Sequence, residues 1–240
     1  MSSELPLLML AAVSIALLHT LLGPDHYLPF VALSKSRHWT LRKTLTLTGL
    51  CGLGHVLSST FLGLIGVAFG ITITQLEALD SVRGNLAAWM LIGFGLVYLV
   101  WGLRRAWRDR PHQHAHAHAD GTVHEHVHAH RRAHGHVHVD AAGGRTTPWI
   151  LFTIFLLGPC EPLIPLLMYP AAKGAFWDVA WVIVVFSVVT IATMLGVVTV
   201  LTLGLEWVPV GRDTRVARYA HALAGGTILA CGIAIGFLGL

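Results

Sequence analysis

Apolar residues gather in six long blocks, at about 5–34, 44–69, 86–103, 148–172, 177–204 and 216–239, and the polar residues fall between them. Each block is long enough to cross a hydrocarbon core of about 30 Å, which takes roughly 20 helical residues. The pattern predicts an all-α polytopic membrane protein with six transmembrane helices. Two of the blocks are interrupted. The first contains "LLGPDHYLPF" from Leu21 and the fourth "LLGPCEPLIP" from Leu156, so Leu-Leu-Gly-Pro and two functional side chains recur at an offset of 135 residues. At the same offset Arg83 falls on Arg218, and His55 falls on Thr190.

The chain therefore divides into a first three-helix repeat (1–103), a loop (104–147) and a second three-helix repeat (148–240). An odd number of spans per repeat makes the second enter from the opposite side, the inverted arrangement that secondary transporters use to place a substrate site near the midplane on discontinuous helices. Pro24 and Pro159 each lack an N–H and clash with the preceding turn, which predicts broken first and fourth helices. Carbonyls freed at such breaks are tolerated in a bilayer only when buried in protein or lining a wet cavity. The first block is expected to be a retained helix, since its flank "MSSELP" has no Lys or Arg and no small-residue cleavage site follows.

Composition agrees with this class: 240 residues, 55% hydrophobic, 12% charged, mean hydropathy +0.68. The net charge of +4 and pI near 9.3 could suggest a nucleic-acid partner. The distribution of cations argues otherwise. Of the sixteen Lys and Arg, all but Arg83 and Lys173 lie in the first, third and fifth loops, which the positive-inside rule makes cytoplasmic, with both termini outside the cell membrane. Cys51, Cys160 and Cys231 all fall inside spans, so an extracellular disulfide framework is not expected.

An ionisable side chain in mid-bilayer costs roughly 2.5–3.5 kcal/mol on insertion scales and points to function. His19, Asp25, His26, His55, Cys160 and Glu161 form such a group. Imidazole, carboxylate and thiolate together are the ligand set of a divalent transition metal. Taken alone, His55 in "GLCGLGHVLSS" could make an interhelical hydrogen bond, and Cys160 could be a small buried hydrophobe. Glu161, between two prolines, can serve as ligand or as proton carrier. Ser58, Ser59, Thr190 and Thr193 read as helix-packing hydroxyls, and His221 as structural or functional alike.

The third loop holds eleven of the sixteen histidines: His112, His114, His116, His118, His124, His126, His128, His130, His134, His136 and His138. No core can be built from such a tract, which is expected to be disordered without a ligand and to gather metal on the cytoplasmic side. A pH-responsive tail or low-complexity drift are the plainer alternatives.

The His19 and Asp25-His26 set, the second-span His55 in a Gly-rich helix and the His-rich loop resemble the nickel/cobalt transporter superfamily, especially its NicO and urease-accessory branches. Five residues separate His19 from Asp25 where those families have four. The resemblance implies a divalent-metal permease with the first-span His and Asp residues in its selectivity site. "LGPCEPLIPLLMYP" is similar to the Pro-Cys segment of the membrane thiol-disulfide carriers of cytochrome c maturation, which share the inverted three-helix repeat and need a cysteine in each half. Here Asp25 stands opposite Cys160. A small-anion exporter of the sulfite type is a third reading, opposed by Asp25 and Glu161. The expectation is thus a non-enzymatic transporter of Ni²⁺ or Co²⁺, with Zn²⁺ allowed by ligand chemistry. It would hold no permanent cofactor, and its partners would be the bilayer, the metal and a possible coupling proton, with no nucleic acid.

Overall fold

The computed structural model describes residues 4–108, 112–117, 123–128, 141–207 and 214–238. Helix α1 (Leu5–Leu22) stops at Gly23, whose backbone is extended (φ −87°, ψ 93°), and a 3-10 turn follows over Pro24–His26. Helix α2 (Leu28–Arg37) resumes with Pro29 in its first turn and ends at His38 in the left-handed region, φ 51°. The Thr40 side chain caps α3 (Leu41–Phe69) by accepting the Lys43 N–H at 3.3 Å, and Gly70 at φ 66° closes it. Then come α4 (Ile73–Arg108), strands β1 (His112–Ala117) and β2 (Val123–His128), α5 (Ala141–Leu157), α6 (Leu163–Ala172), α7 (Phe176–Trp207) and α8 (Thr214–Leu238).

Both expected breaks are present, one between α1 and α2 and one between α5 and α6. Among the described residues, five helices are individually long and apolar enough to cross a bilayer, namely α1, α3, α4, α7 and α8, beside the shorter apolar α5 and α6. The fourth block is divided into α5 and α6, because Pro159 and Pro162 remove two successive helical donors. Its third counterpart is longer than expected. Helix α4 begins at Ile73, so Arg83 sits eleven residues into a helix instead of in a loop.

Part of the His-rich tract also departs from expectation. Strands β1 and β2 pair antiparallel, with His112 opposite His128, His114 opposite His126 and His116 opposite His124. His at every second position, mostly with Ala or Val between, is the two-residue period of a strand, and it prevails here over polarity. His118, His130, His134, His136 and His138 lie outside the described residues.

Large apolar side chains face outward all round the bundle: Leu7, Phe61, Trp177 and Val200 are 67–77% exposed. Water would not tolerate so extensive an apolar surface on a soluble monomer, whereas lipid does; the protein is integral to a membrane. Inside, α4 and α8 pack along most of their length. A Cβ at Gly102 would strike the Ala222 backbone and one at Gly225 the Leu99 backbone, so this pair approaches as closely as backbones can. The remaining packing is balanced between halves. Helix α1 lies on α7 as α5 lies on α3; α2 touches α8 and α7 as α6 touches α4 and α3.

Side-chain contacts tie the bundle at two ends. At one, Lys173 after α6 donates to both Glu4 carboxylate oxygens (2.9 and 2.7 Å), and Tyr169 donates to Glu4 at 3.0 Å. At the other, Arg37 donates to Tyr98 Oη at 3.1 Å, and Tyr98 Oη lies 3.0 Å from His221 Nδ1, joining α2, α4 and α8. The hydrogen bond from Lys173 holds the Glu4 carboxyl below its ordinary value of 4.5, and the reciprocal bond holds Lys173 above 10.5. The Glu4 contribution is fully present above pH 4.5 and fades as pH falls below it; the Lys173 contribution is present below 10.5 and fades above it. The protection factor against amide exchange at the start of α1 is expected to fall slightly below about pH 4 and in high salt, and only slightly because the pair is exposed. In Glu4→Gln that pH response should be absent.

Candidate metal centre

His19 ends α1, His26 closes the 3-10 turn and His55 sits midway along α3. In an unbroken helix, His19 and His26 would lie two turns apart, about 10 Å along the axis. The break changes this, because the 3-10 turn folds His26 back until its ring centroid is 4.8 Å from that of His19, edge to face. Gly23 permits the fold: a Cβ there would run into the His26 ring. The His55 ring stands 5.1 Å from His26 and 6.3 Å from His19. One ligand nitrogen from each of the three lies within 4.8 Å of the others.

The hydrogen bonds decide which nitrogens are free. His26 Nδ1 lies 3.1 Å from the Gly23 carbonyl and 3.3 Å from Asp25 Oδ1. His55 Nδ1 lies 3.3 Å from the Phe155 carbonyl, across the interface between halves. A carbonyl oxygen can only accept, so both Nδ1 atoms carry the proton and donate it. In the neutral imidazoles both Nε2 atoms are then bare lone pairs, buried and without a hydrogen-bond partner. A buried unpartnered acceptor is costly, and an imidazole with its far N–H tied to a carbonyl or carboxylate is the usual form of a metal ligand. The residues therefore fit a transition-metal cation. Bond lengths of about 2.0–2.1 Å imply nitrogens roughly 3.4 Å apart around a four-coordinate ion, so the rings would have to draw in by about an ångström.

The other candidates divide. Asp25 is a quarter exposed on its side chain and works through His26. It also lines, with His55, Phe155, Gly158 and Pro159, a cavity of about 20 Å³, room for one water. Cys160 is fully buried at the second break, its Sγ 3.9 Å from His19 Nε2. Glu161 is exposed and stands outside the histidine group, contrary to expectation. Adjacent residues in a turn point to different sides, so burial of Cys160 sends Glu161 outward. The grouping is thus three imidazoles from the first half with a thiol from the second, in place of a symmetric Asp-His against Cys-Glu arrangement.

Two residues outside the set of candidate ligands stand beside the site. Asp80 is fully buried on α4, and Arg83 Nη1 donates to its Oδ1 at 2.7 Å. Arg83 Nη2 donates to Ser58 Oγ at 2.8 Å and to the Leu156 and Gly158 carbonyls at 3.2 and 3.4 Å. The guanidinium thus caps the open C-terminal end of α5, whose negative dipole end and unpaired carbonyls favour a cation. An Asp and an Arg three apart ahead of an apolar run was the available signal, masked by placing both in a loop. His221 belongs to the Tyr98 cluster, with its ring 4.9 Å from Trp101. Cys51 and Cys231 are buried free thiols; both sit in the apolar cluster around Phe30 and Phe155, whereas Cys160 sits in the one around Val56 and Phe186.

A family model described as the cytochrome C biogenesis protein transmembrane region matches residues 28–234. That match favours the thiol-disulfide resemblance over the nickel/cobalt one. Neither a curated protein nor a solved structure matches the chain.

Proposed function

The chain belongs to the family of cytochrome c biogenesis protein transmembrane regions, and within that family we propose that it moves a divalent transition-metal cation through the bilayer. The observation that carries this reading is the convergence of the His19, His26 and His55 rings, in which the Nε2 atoms of His26 and His55 are buried and unpartnered while each Nδ1 is tied back. His19, His26 and His55 hold the ion, Asp25 orients His26, and Cys160 offers a soft fourth ligand from the other half. Imidazole and thiolate suit Ni²⁺, Co²⁺ and Zn²⁺ and disfavour Mn²⁺.

The balanced packing between halves supports an inverted pair of repeats, each with a broken helix, rocking about the site. The Glu4–Lys173 and Arg37–Tyr98–His221 contacts are the closures at the two ends. The positive-inside rule puts the first outside and the second in the cytoplasm, with the His-rich loop. That loop would concentrate cytosolic metal without joining the path.

A second reading is a membrane thiol-disulfide carrier, favoured by the family match and by Cys160 at a helix break. It requires a second thiol to close a disulfide, and Cys51 and Cys231 pack in a different cluster from Cys160.

Proteoliposomes loaded with Ni²⁺, Co²⁺, Zn²⁺ or Mn²⁺ separate the two. Metal transport predicts flux of the first three that Cys160→Ser slows and His26→Ala abolishes, while deletion of residues 112–138 alters apparent affinity only. Absence of metal flux, together with electron transfer to an external thiol that Cys160→Ser eliminates, would establish the carrier instead.

A further inference from the structure

The geometry points to Arg83 as the residue that positions His55 for metal binding, by fixing the end of α5 that selects which His55 nitrogen is free. This deepens the metal reading and rests on it for the ligand role of His55, though not for the tautomer that Arg83 sets.

Pro159 and Pro162 leave the last carbonyls of α5 without helical donors. Of these, Phe155 O accepts from the Gly158 N–H at 3.2 Å and from His55 Nδ1 at 3.3 Å. The carbonyls one and three residues beyond Phe155, Leu156 O and Gly158 O, are both held by one nitrogen of Arg83. The same nitrogen donates to Ser58, whose hydroxyl in turn donates to the His55 carbonyl at 2.9 Å. Arg83 therefore grips the α5 end and, through Ser58, the turn of α3 that carries His55. Asp80 holds the guanidinium from the far side at 2.7 Å.

The fit is tight where it matters. A Cβ on Gly158 would come within 3.1 Å of His55 Nδ1, so a small rotation of this segment either presses on the ring or opens the hydrogen bond. If the bond opens, nothing on α5 distinguishes Nδ1 from Nε2. The His55 proton then divides between them, and the bare Nε2 lone pair is lost for part of the time. A single partly buried charge in this way ties the second half of the protein to a ligand supplied by the first.

The test uses the full chain in lipid nanodiscs, with two readouts. Nitrogen-15 spectra of labelled histidine report the His55 tautomer, assigned by its disappearance in His55→Asn; titration with Co²⁺, followed by its visible absorption, reports affinity. Wild type should show protonated Nδ1 and bare Nε2. Arg83→Gln should show a tautomer mixture and bind Co²⁺ about tenfold more weakly, within the roughly 10–100-fold that outer-shell partners contribute. Because Arg83→Gln leaves Asp80 buried and unpaired, Asp80→Asn with Arg83→Gln is made as well, and the same mixture is expected. Arg83→Lys keeps the charge but cannot span Ser58 and both carbonyls, so it should fall between. The inference is overturned if the single and double variants keep the wild-type tautomer and affinity. Failure of wild type to bind Co²⁺ would remove the metal reading, while the tautomer comparison would still decide the role of Arg83.

Discussion

Replacing His55 by alanine is expected to weaken transition-metal binding by more than the roughly 10–100-fold that loss of an outer-shell partner costs. His26→Ala should match it. Each removes a buried Nε2 that has no other partner, and the ion loses one of the three imidazoles that converge there among the described residues. Asp25→Asn should cost less, since its carboxylate touches His26 Nδ1 and not the side where the ion would sit. Binding must also fade as pH falls, because each ligand must shed its proton to coordinate. Titration of purified protein with Co²⁺, beside a thermal melt for each variant, separates loss of the site from loss of the fold. Wild-type affinity in His55→Ala would remove His55 from the centre.

The largest effect on stability is expected at the contact of α4 with α8. Gly225→Leu should prevent recovery of folded protein, and Gly102→Leu should do the same. At both positions the first added carbon meets the backbone of the opposing helix, not a flexible side chain. Overpacking a core costs typically about 1–3 kcal/mol when side chains can yield; here whole helices must separate. Gly226→Leu is the control. It is one residue away on the same helix, nothing lies within 4 Å of its Cβ position, and leucine is the better helix former. Size-exclusion profiles in detergent should show Gly226→Leu eluting as wild type and Gly225→Leu aggregating. Equal behaviour would mean that α4 and α8 do not approach as closely as described.

Much of the fold was legible along the chain because it depends on local chemistry. Apolar length marked the spans, and two prolines that lack donors marked both breaks, between α1 and α2 and between α5 and α6. The start of α4 was misjudged. Asp80 and Arg83 look like loop residues by polarity, yet Arg83 pairs with Asp80 and reaches the α5 end, and the helix runs through them. In the third loop, alternation of His with small apolar residues outweighed a composition that suggested no structure.

Residue types likewise identified His19, His26, His55 and Cys160 as candidates, since few other side chains have reason to sit in mid-bilayer. Their roles could not be read there. The return of His26 toward His19 depends on the angle of a 3-10 turn, and the free nitrogen of His55 on a carbonyl a hundred residues away. The outward turn of Glu161 follows from the burial of Cys160 beside it. Sequence alone determined a membrane-embedded, largely helical chain with two paired breaks and a set of candidate ligands, because hydropathy and proline chemistry act within a few residues. Tertiary structure alone decided which ligands converge and which of their nitrogens stay bare, because those properties belong to contacts between α1, α3, α4 and α5 that no local pattern encodes.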